Sequence, residues 1–189
     1  MKLVIQIPAW NEEQQLGKTL ADLPRTVDGF DQVEHLVIDD GSDDATAELA
    51  RAAGAEVVRL PVHRGLAVAF AAGLAHAVES GADVIVNTDA DNQYDARDIP
   101  ALVRPILEGD AQMVIGDRQV HTLRHFSFSK RALQKLGSWV VRKISRTSVR
   151  DATSGFRAIS RAAALKLHVF TRFTYTPVSY THLTLPTIC

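Results

Sequence analysis

The first 117 residues alternate short aliphatic runs with longer amphipathic stretches. The short runs predict strands at Leu3–Ile7, Glu34–Asp39, Glu56–Leu60, Asp83–Asn87 and Gln112–Gly116. The longer stretches predict helices at Asn11–Leu23, Asp44–Ala53, Gly65–Ser80 and Ala96–Glu108. Strands and helices that alternate in this way build a mostly parallel sheet covered by helices on both faces. The pattern therefore predicts an α/β fold.

A basic segment follows this alternating region. Residues 127–145 predict a longer helix. At roughly 100° per residue, four basic side chains fall within one narrow sector: Arg131, Lys135, Arg142 and Arg146. Leucine, valine and isoleucine occupy the opposite side, and Phe128 and Trp139 flank the basic sector. Beyond it, the pattern predicts a strand at Gly155–Ser160 and a short helix from Arg161 to Leu167.

The end of the chain departs from the pattern. No Asp, Glu, Lys or Arg follows Arg172, and threonine recurs instead. Residues 177–189 resemble translated adaptor sequence. We therefore expect one domain over residues 1–176, truncated at its C-terminal end, and a non-native tail over residues 177–189.

Bulk features narrow the possible settings. No apolar run approaches the roughly 20 residues that span a bilayer, and the strand pattern begins at residue 3, which leaves no room for a signal peptide. We therefore expect a cytoplasmic protein. The single cysteine, Cys189, forms neither an internal disulfide nor a cysteine metal site.

The net charge of −1 conceals a strong asymmetry. Residues 1–117 carry 21 acidic and 8 basic side chains, whereas residues 118–172 carry 13 basic side chains and one acidic side chain, Asp151. Such a split predicts a basic surface that faces an anionic partner. A membrane, a phosphate-bearing substrate and nucleic acid all remain open on charge alone.

The sharpest chemical signal follows the fourth predicted strand. There the chain reads NTDADNQ, with Asp89 and Asp91 spaced i, i+2. Ligands bind at the carboxyl ends of strands in open α/β sheets, and residues i and i+2 of an extended chain point the same way. Two carboxylates that leave positions for water and phosphate suit Mg²⁺, and Gln93 adds a third oxygen. The alternative is that these acids only cap the next helix.

Polar groups also follow the first three predicted strands. Asp39 begins DDGSDD, where it could accept hydrogen bonds from a base or a ribose, although turn and N-cap chemistry explains Ser42 and Asp44. The first strand leads into PAWNEE, and the third into HRGL, where Arg64 at a helix N-terminus suits phosphate. Each motif alone is also compatible with an ordinary loop, but four polar strand ends converge on one sheet edge.

In this order, PAWNEE, DDGSDDAT, HRGLAVAF, NTDADNQYD and DATSGFR resemble family 2 glycosyltransferases with the GT-A fold. The resemblance covers roughly residues 2–175 and is closest to the dolichol- or polyprenyl-phosphate mannosyl- and glucosyltransferase branch. It implies an inverting hexosyltransferase that takes a sugar from a GDP- or UDP-sugar. The implied acceptor is a polyprenyl or dolichyl phosphate.

The resemblance also implies residue roles. Those for the nucleotide fall on Pro8, Trp10, Glu12, Asp39, Arg64, Asp89 and Ala90. Asp89 and Asp91, assisted by Gln93, would hold Mg²⁺ or Mn²⁺. Asp91, Arg157 and Asp151 are the candidate catalytic residues; Arg157 would contact phosphate, and Asp151 would serve as the base toward a hydroxyl acceptor. Arg118 and Arg131 would bind the acceptor phosphate.

The remaining expectations concern partners and rival classes. The basic helix would allow peripheral contact with the inner face of the membrane, and no nucleic-acid partner is expected. The alternatives are a catalytically silent nucleotide-sugar-binding module and a transferase that acts on a hydroxyl in polysaccharide synthesis. A nucleotidyltransferase is disfavoured because PAWNEE stands where a glycine-rich phosphate loop belongs, and P-loop and GxGxxG motifs are absent.

Overall fold

The computed structural model describes residues 1–116 and 154–167. Strands within these ranges form one sheet, made of β1 Lys2–Ala9, β2 Gln32–Asp39, β3 Glu56–Arg59, β4 Val84–Asn87, β5 Met113–Ile115 and β6 Arg157–Ser160. Their order is β3-β2-β1-β4-β6-β5. Strands β1 to β4 run parallel, and β6 is antiparallel to both of its neighbours. The predicted mostly parallel sheet is confirmed.

Helices connect the strands. They are α1 Leu16–Asp22, α2 Thr46–Ala52, α3 Leu66–Glu79, α4 Ile99–Leu107 and α5 Arg161–Ala164, with a 3₁₀ turn at Ala96–Asp98 before α4. Helices α1 and α2 begin later than the sequence predicts. The loop residues before them give their backbone N–H groups to side chains of a facing loop, and Asn11 has a left-handed φ of 55°. A residue with a left-handed backbone cannot continue a right-handed helix, so α1 begins after Asn11.

Two apolar layers enclose the sheet because its central strands are buried on both sides. One layer packs Leu3, Ile5 and Ile7 of β1 against α1, α2 and α4. The other packs Val4 of β1 and residues of β2 and β4 against α3 and α5. Successive residues of one strand therefore serve opposite layers.

A glycine lets α3 lie close to the sheet. A Cβ placed on Gly73 would lie 2.5 Å from Ile38 Cδ1 and 2.8 Å from Gln6 Oε1. Any side chain there would push the helix away from β1 and β2. Gly73 therefore sets the distance between α3 and the central strands.

The strand order reverses between β1 and β4. Strand β1 leads outward through β2 to β3 on one side, whereas β4 begins the other half of the sheet. The loops that follow β1 and β4 leave in opposite directions at such a point and open a crevice between them. This geometry locates the candidate site.

Several predicted features lie outside the described residues. They include the helix at 127–145 and the tail at 177–189. Across residues 1–116 and 154–167, no helix combines the length and the apolar character needed to cross a bilayer.

Candidate active site

A cleft of about 290 Å³ opens where the strand order reverses. Its walls come from the carboxyl ends of β1, β2 and β4 and from the start of α3. The lining residues are Pro8, Ala9, Trp10, Glu12, Asp40, His63, Leu66, Ala69, Asp89, Ala90 and Asp91. The cleft therefore joins an apolar and aromatic side to an acidic side.

The loops after β1 and β2 hold each other through side chains. The backbone N–H groups of Asn11, Glu12 and Glu13 donate to Ser42 Oγ at 2.9 Å, Thr46 Oγ1 at 2.9 Å and Asp44 Oδ2 at 3.1 Å. In return, Asn11 Oδ1 accepts from the N–H of Asp43 at 3.0 Å. Ser42 and Asp44 therefore join the two loops, and Asp44 Oδ1 also accepts from the N–H of Thr46, the first residue of α2, at 3.0 Å. The exchange fixes the chain that carries Trp10 and Glu12.

Asp40 organises a third loop beneath the cleft. Its carboxylate is only 2% exposed. Oδ1 accepts from the N–H of Arg64 at 2.8 Å, and Oδ2 accepts from the N–H of Gly65 at 2.7 Å and lies 2.9 Å from His63 Nδ1. Charge-assisted bonds of this kind hold the start of α3 in place.

The bond from Asp40 orients His63 toward Trp10. The two rings stack with their centroids 4.1 Å apart and an interplanar angle of 28°. Trp10 is still 48% exposed. An exposed indole face at the mouth of a cleft offers a planar surface to a ring ligand.

The acidic side of the cleft comes from the loop after β4. Asp89 and Asp91 both line the cleft, and Asp91 Oδ1 accepts from the N–H of Gln93 at 3.1 Å. Thr19 Oγ1 of α1 donates to the carbonyl of Ala90 between them at 2.7 Å. The helix therefore fixes the backbone that carries both carboxylates.

Glu12 faces this acidic pair. Partial burial raises the pKa of its carboxyl, and the negative charges of Asp91, Asp44 and Asp89 raise it further. Carboxylates that disfavour each other's ionisation would be stabilised by a shared cation. The electrostatics of the cleft are therefore those of a site for positive charge.

The donor set fits a hard divalent cation held by few protein ligands. Within residues 1–116 and 154–167, no three His, Cys, Asp or Glu side chains form a complete ligand cluster. Two carboxylates on one cleft wall suit Mg²⁺ or Mn²⁺ when substrate oxygens and water fill the remaining positions. The observation that favours this type of site is that Asp89 and Asp91 line the same cleft as Glu12.

The structure brings together six of the predicted site residues. Pro8, Trp10, Glu12, Asp89, Ala90 and Asp91 all line the cleft. Arg118, Arg131 and Asp151 lie outside the described residues. The roles assigned to all nine stay predictions.

Four other predicted residues do not line the cleft. Asp39 is fully buried, accepts from the N–H of Ser42 at 3.0 Å and pairs with Arg59 Nε at 3.1 Å. Arg64 is exposed, and its backbone rather than its side chain makes the bond to Asp40. Neither side chain lines the cleft, and the assignment of both residues to the nucleotide stays a prediction.

Gln93 and Arg157 also lie elsewhere. The left-handed Asn92, with a φ of 58°, turns the chain so that Gln93 is exposed in a neighbouring polar depression beside Tyr94. Arg157 lies fully buried on β6, where its guanidinium donates to the carbonyl of Ser154. A metal bond from Gln93 or a phosphate contact from Arg157 would require a different side-chain position.

Sequence reasoning missed five lining residues: Ala9, Asp40, His63, Leu66 and Ala69. All five stand within motifs that the sequence analysis quotes, so each motif was found but the contacting side chain was not. Ala69 follows Leu66 by three residues, which places both on one face of α3. Helical spacing was the available signal for Ala69.

This sheet and cleft define the Rossmann-like GT-A fold of glycosyltransferases. The structure resembles that of glucosyl-3-phosphoglycerate synthase from Mycobacterium tuberculosis in complex with Mn²⁺, UDP-glucose and phosphoglyceric acid, with a TM-score of 0.68 and 26% identity over 88% of this chain and 59% of that chain. A complex of the same enzyme with Mg²⁺ and UDP gives a TM-score of 0.66 and 26% identity over 88% of this chain and 58% of that chain.

The family follows from the sequence comparison. The model described as "Glycosyl transferase family 2" matches residues 4–167, and the chain belongs to that family. An undecaprenyl-phosphate mannosyltransferase from Micrococcus luteus is 32% identical, over 84% of this chain and 66% of the relative. A dolichyl-phosphate hexose transferase from Haloferax volcanii is 35% identical, also over 84% and 66%. The chain thus spans about two thirds of the length of these relatives.

Proposed function

We propose that this chain transfers a sugar from a GDP- or UDP-sugar to a polyprenyl or dolichyl phosphate, with inversion at the anomeric carbon. The observation that carries the proposal is the single cleft in which an aromatic wall at the end of β1 meets the carboxylate pair after β4. The parts of a nucleotide sugar follow the same order as the two sides of the cleft, because the base is followed by a diphosphate and then by the sugar.

The nucleoside half of the donor would occupy the aromatic side. The exposed face of Trp10, backed by His63, offers a stacking surface for the base. Pro8 and Glu12 lie beside it in the cleft wall. Asp39 would act from below, through the loop that its bond to Ser42 holds.

The diphosphate would lie at the acidic side. Asp89 and Asp91 would hold Mg²⁺ or Mn²⁺ there, with Gln93 assisting if it turns toward the cleft. The bound cation would supply positive charge that stabilises the leaving nucleoside diphosphate. Asp91, the second carboxylate of the pair, would orient the diphosphate as the leaving group. The similar structures with Mn²⁺ or Mg²⁺ and a uridine nucleotide support this assignment.

The acceptor would arrive from the basic segment. The described residues on the two sides of this segment lie close together, as the hydrogen bond from the N–H of Gly116 to the carbonyl of Phe156 at 2.9 Å shows. Residues 117–153, which join them, include Arg118 and Arg131, the proposed acceptor-phosphate ligands. Arg64 and Arg157 would add positive charge around the phosphates. This charge also supports peripheral contact with the cytoplasmic face of a membrane.

The reaction would require little proton transfer. A phosphate oxygen of the acceptor would attack the anomeric carbon, and the bond from that carbon to the diphosphate oxygen would break with its electrons passing to the diphosphate. A phosphate monoester is already ionised at neutral pH, so positioning and electrostatics would carry the catalysis. The lipid-phosphate transferases among the relatives support this acceptor class.

A hydroxyl acceptor is the second candidate. The similar structures are named glucosyl-3-phosphoglycerate synthase, and one is a complex with phosphoglyceric acid rather than with a lipid. For such an acceptor, Asp151 would take the hydroxyl proton.

A transfer assay separates these functions. The 189-residue chain is incubated with radiolabelled GDP- or UDP-sugars, Mn²⁺ and vesicles containing polyprenyl phosphate, with phosphoglyceric acid as a parallel acceptor. We expect metal-dependent label in the lipid fraction. Label in the soluble acceptor would support the second candidate, whereas nucleotide binding without transfer would identify a silent binding module. No nucleotide binding at all would refute the proposal.

A further inference from the structure

Gly155 lies directly against the carboxylate of Asp89. A Cβ built on Gly155 would lie 2.6 Å from Asp89 Oδ1, 2.8 Å from Oδ2 and 3.0 Å from Cγ. All three distances are at or below the closest approach that a real Cβ tolerates. The backbone of Gly155 is therefore a wall that limits the positions open to this carboxylate.

Side chains from both ends of the Asp89 loop hold Gly155 in this position. Asn87, two residues before Asp89, donates through Nδ2 to the carbonyl of Gly155 at 2.9 Å. Tyr94, five residues after Asp89, accepts from the N–H of Gly155 at 2.9 Å through its hydroxyl. Both backbone groups of the glycine are thus bonded to the loop that carries the carboxylate.

Each of the two holding side chains has its own support. Asn87 is fully buried, and its Oδ1 accepts from Gln6 Nε2 at 2.9 Å, which fixes the orientation of the amide. The ring of Tyr94 stacks on Phe156 with centroids 5.1 Å apart. Phe156 in turn fits against Gly116, where a Cβ would lie 2.5 Å from the ring. The contacts link β1, β4, the Asp89 loop and the start of β6.

We propose that Gly155, held by Asn87 and Tyr94, is a positioning residue that keeps the carboxylate of Asp89 directed into the cleft. The inference rests on the proposed function, because it assigns the direction of Asp89 to cation binding. Groups that orient a ligating carboxylate commonly change metal affinity by about tenfold or more when they are removed. The Gly155 backbone excludes the Asp89 carboxylate from the space that it occupies. Only glycine allows the backbone to approach the carboxylate this closely.

The test measures Mn²⁺ affinity in the presence of UDP or GDP, by electron paramagnetic resonance of the free ion. Gly155→Ala should weaken Mn²⁺ binding by about tenfold, because the added methyl group displaces Asp89. Tyr94→Phe keeps the ring stack and removes the hydroxyl, so we expect a loss of about threefold. Gly17→Ala is the matched control, since a Cβ there meets no atom within 4 Å, and its affinity should be unchanged.

A second readout does not depend on the metal. Gly155→Ala should lower the urea midpoint of unfolding in the unaltered chain, and by clearly less in an Asp89→Ala background, where the carboxylate no longer meets the methyl group. An equal decrease of the urea midpoint in the unaltered chain and in the Asp89→Ala chain would contradict a steric contact between Gly155 and Asp89. If Gly155→Ala does not fold, Tyr94→Phe decides the matter through Mn²⁺ affinity.

The outcomes separate the two proposals. Mn²⁺ binding by the unaltered chain, with equal affinity in Gly155→Ala and Tyr94→Phe, would overturn the positioning role and leave the proposed function intact. Absence of nucleotide-dependent Mn²⁺ binding in the unaltered chain would overturn the proposed function and this inference with it. Weakened binding in both variants but not in Gly17→Ala is the result we expect.

Discussion

Two acidic pairs end neighbouring parts of the same sheet, and they do different work. Asp39 and Asp40 after β2 are 0% and 2% exposed, and their oxygens are bonded or paired to Ser42, Arg59 and the loop at residues 63–65. Asp89 and Asp91 after β4 are partly exposed and line the cleft from its acidic side. The two pairs have the same residue type and both lie at the carboxyl end of a strand, but their surroundings differ.

The difference shows what distinguishes a structural acid from a binding acid. Backbone N–H groups of Arg64 and Gly65 converge on Asp40, so hydrogen bonds within the fold stabilise its charge. Near Asp91 the neighbouring charge is negative, and it raises the pKa of Glu12. The first pair therefore stabilises the native chain, whereas the second lies where a ligand in the cleft can reach it.

The largest effect is expected when the second pair is removed. Asp89→Asn combined with Asp91→Asn should weaken Mn²⁺-dependent binding of UDP or GDP by several kcal/mol, on the order of a thousandfold, because the two carboxylates that would hold the cation are lost. Isothermal titration calorimetry with and without Mn²⁺ measures the loss. Asp110→Asn, exposed before β5, is the control. Undiminished metal-dependent binding in the double variant would contradict the assignment.

The second largest effect is expected when the first pair is altered. Asp40→Ala should lower the free energy of unfolding by about 2–3 kcal/mol, since the buried N–H groups of Arg64 and Gly65 lose their acceptor. Urea denaturation followed by circular dichroism provides the measurement. Asp43→Ala changes an exposed acid of the same loop and should be nearly neutral. Similar losses in the two variants would argue that Asp40 has no special structural role.

A smaller effect tests the aromatic side that both loops create. Trp10→Ala should weaken nucleotide binding by about tenfold, because the base loses its stacking surface, while Trp10→Phe should retain most of the affinity. Calorimetric titration of UDP and GDP at fixed Mn²⁺ gives both values. Equal affinity for all three chains would place the base elsewhere.

The smallest effect concerns Glu12 and pH. Its folded pKa lies above the usual 4.5, so its contribution to stability is full below the unfolded pKa and is lost as pH rises through the folded pKa. Glu12→Gln should therefore raise the free energy of unfolding at pH 7 by less than about 0.5 kcal/mol, since solvent screens the partly exposed group. The gain should shrink as pH falls toward 4.

Denaturation curves of the two chains at several pH values measure this difference. Glu108→Gln, exposed after α4, is the control and should show no pH-dependent change. Added Mg²⁺ should reduce the benefit of Glu12→Gln, because the cation offsets the charge of Asp89 and Asp91. A benefit that grows toward low pH would contradict the raised pKa.

The sequence predicts the sheet well because continuous aliphatic runs have few other uses in a chain of this size. It also locates the Asp89–Asp91 pair, since both acids directly follow a buried strand. It does not decide between Asp39 and Asp40. Adjacent strand residues point to opposite sides, so the choice depends on the parity of the strand register, which pairing with β1 sets.

Two other outcomes depend on local backbone geometry. The expectation for Gln93 extends the i, i+2 rule past Asp91, but the left-handed Asn92 ends the extended chain there. The late start of α1 reflects bonds between loops that are distant in sequence, such as that from the N–H of Asn11 to Ser42. Neither feature leaves a periodic signal in the residues themselves.

The antiparallel β6 bears on how the chain reaches its native state. Strand β6 lies between β4 and β5 and pairs with both, although residues 116–156 separate it from β5 in sequence. A ribosome-bound chain that ends before Ser160 therefore exposes an unpaired edge on β4 and leaves β5 without its neighbour, the kind of edge that recruits other strands. During synthesis, closure of the sheet must wait until the whole basic segment has emerged.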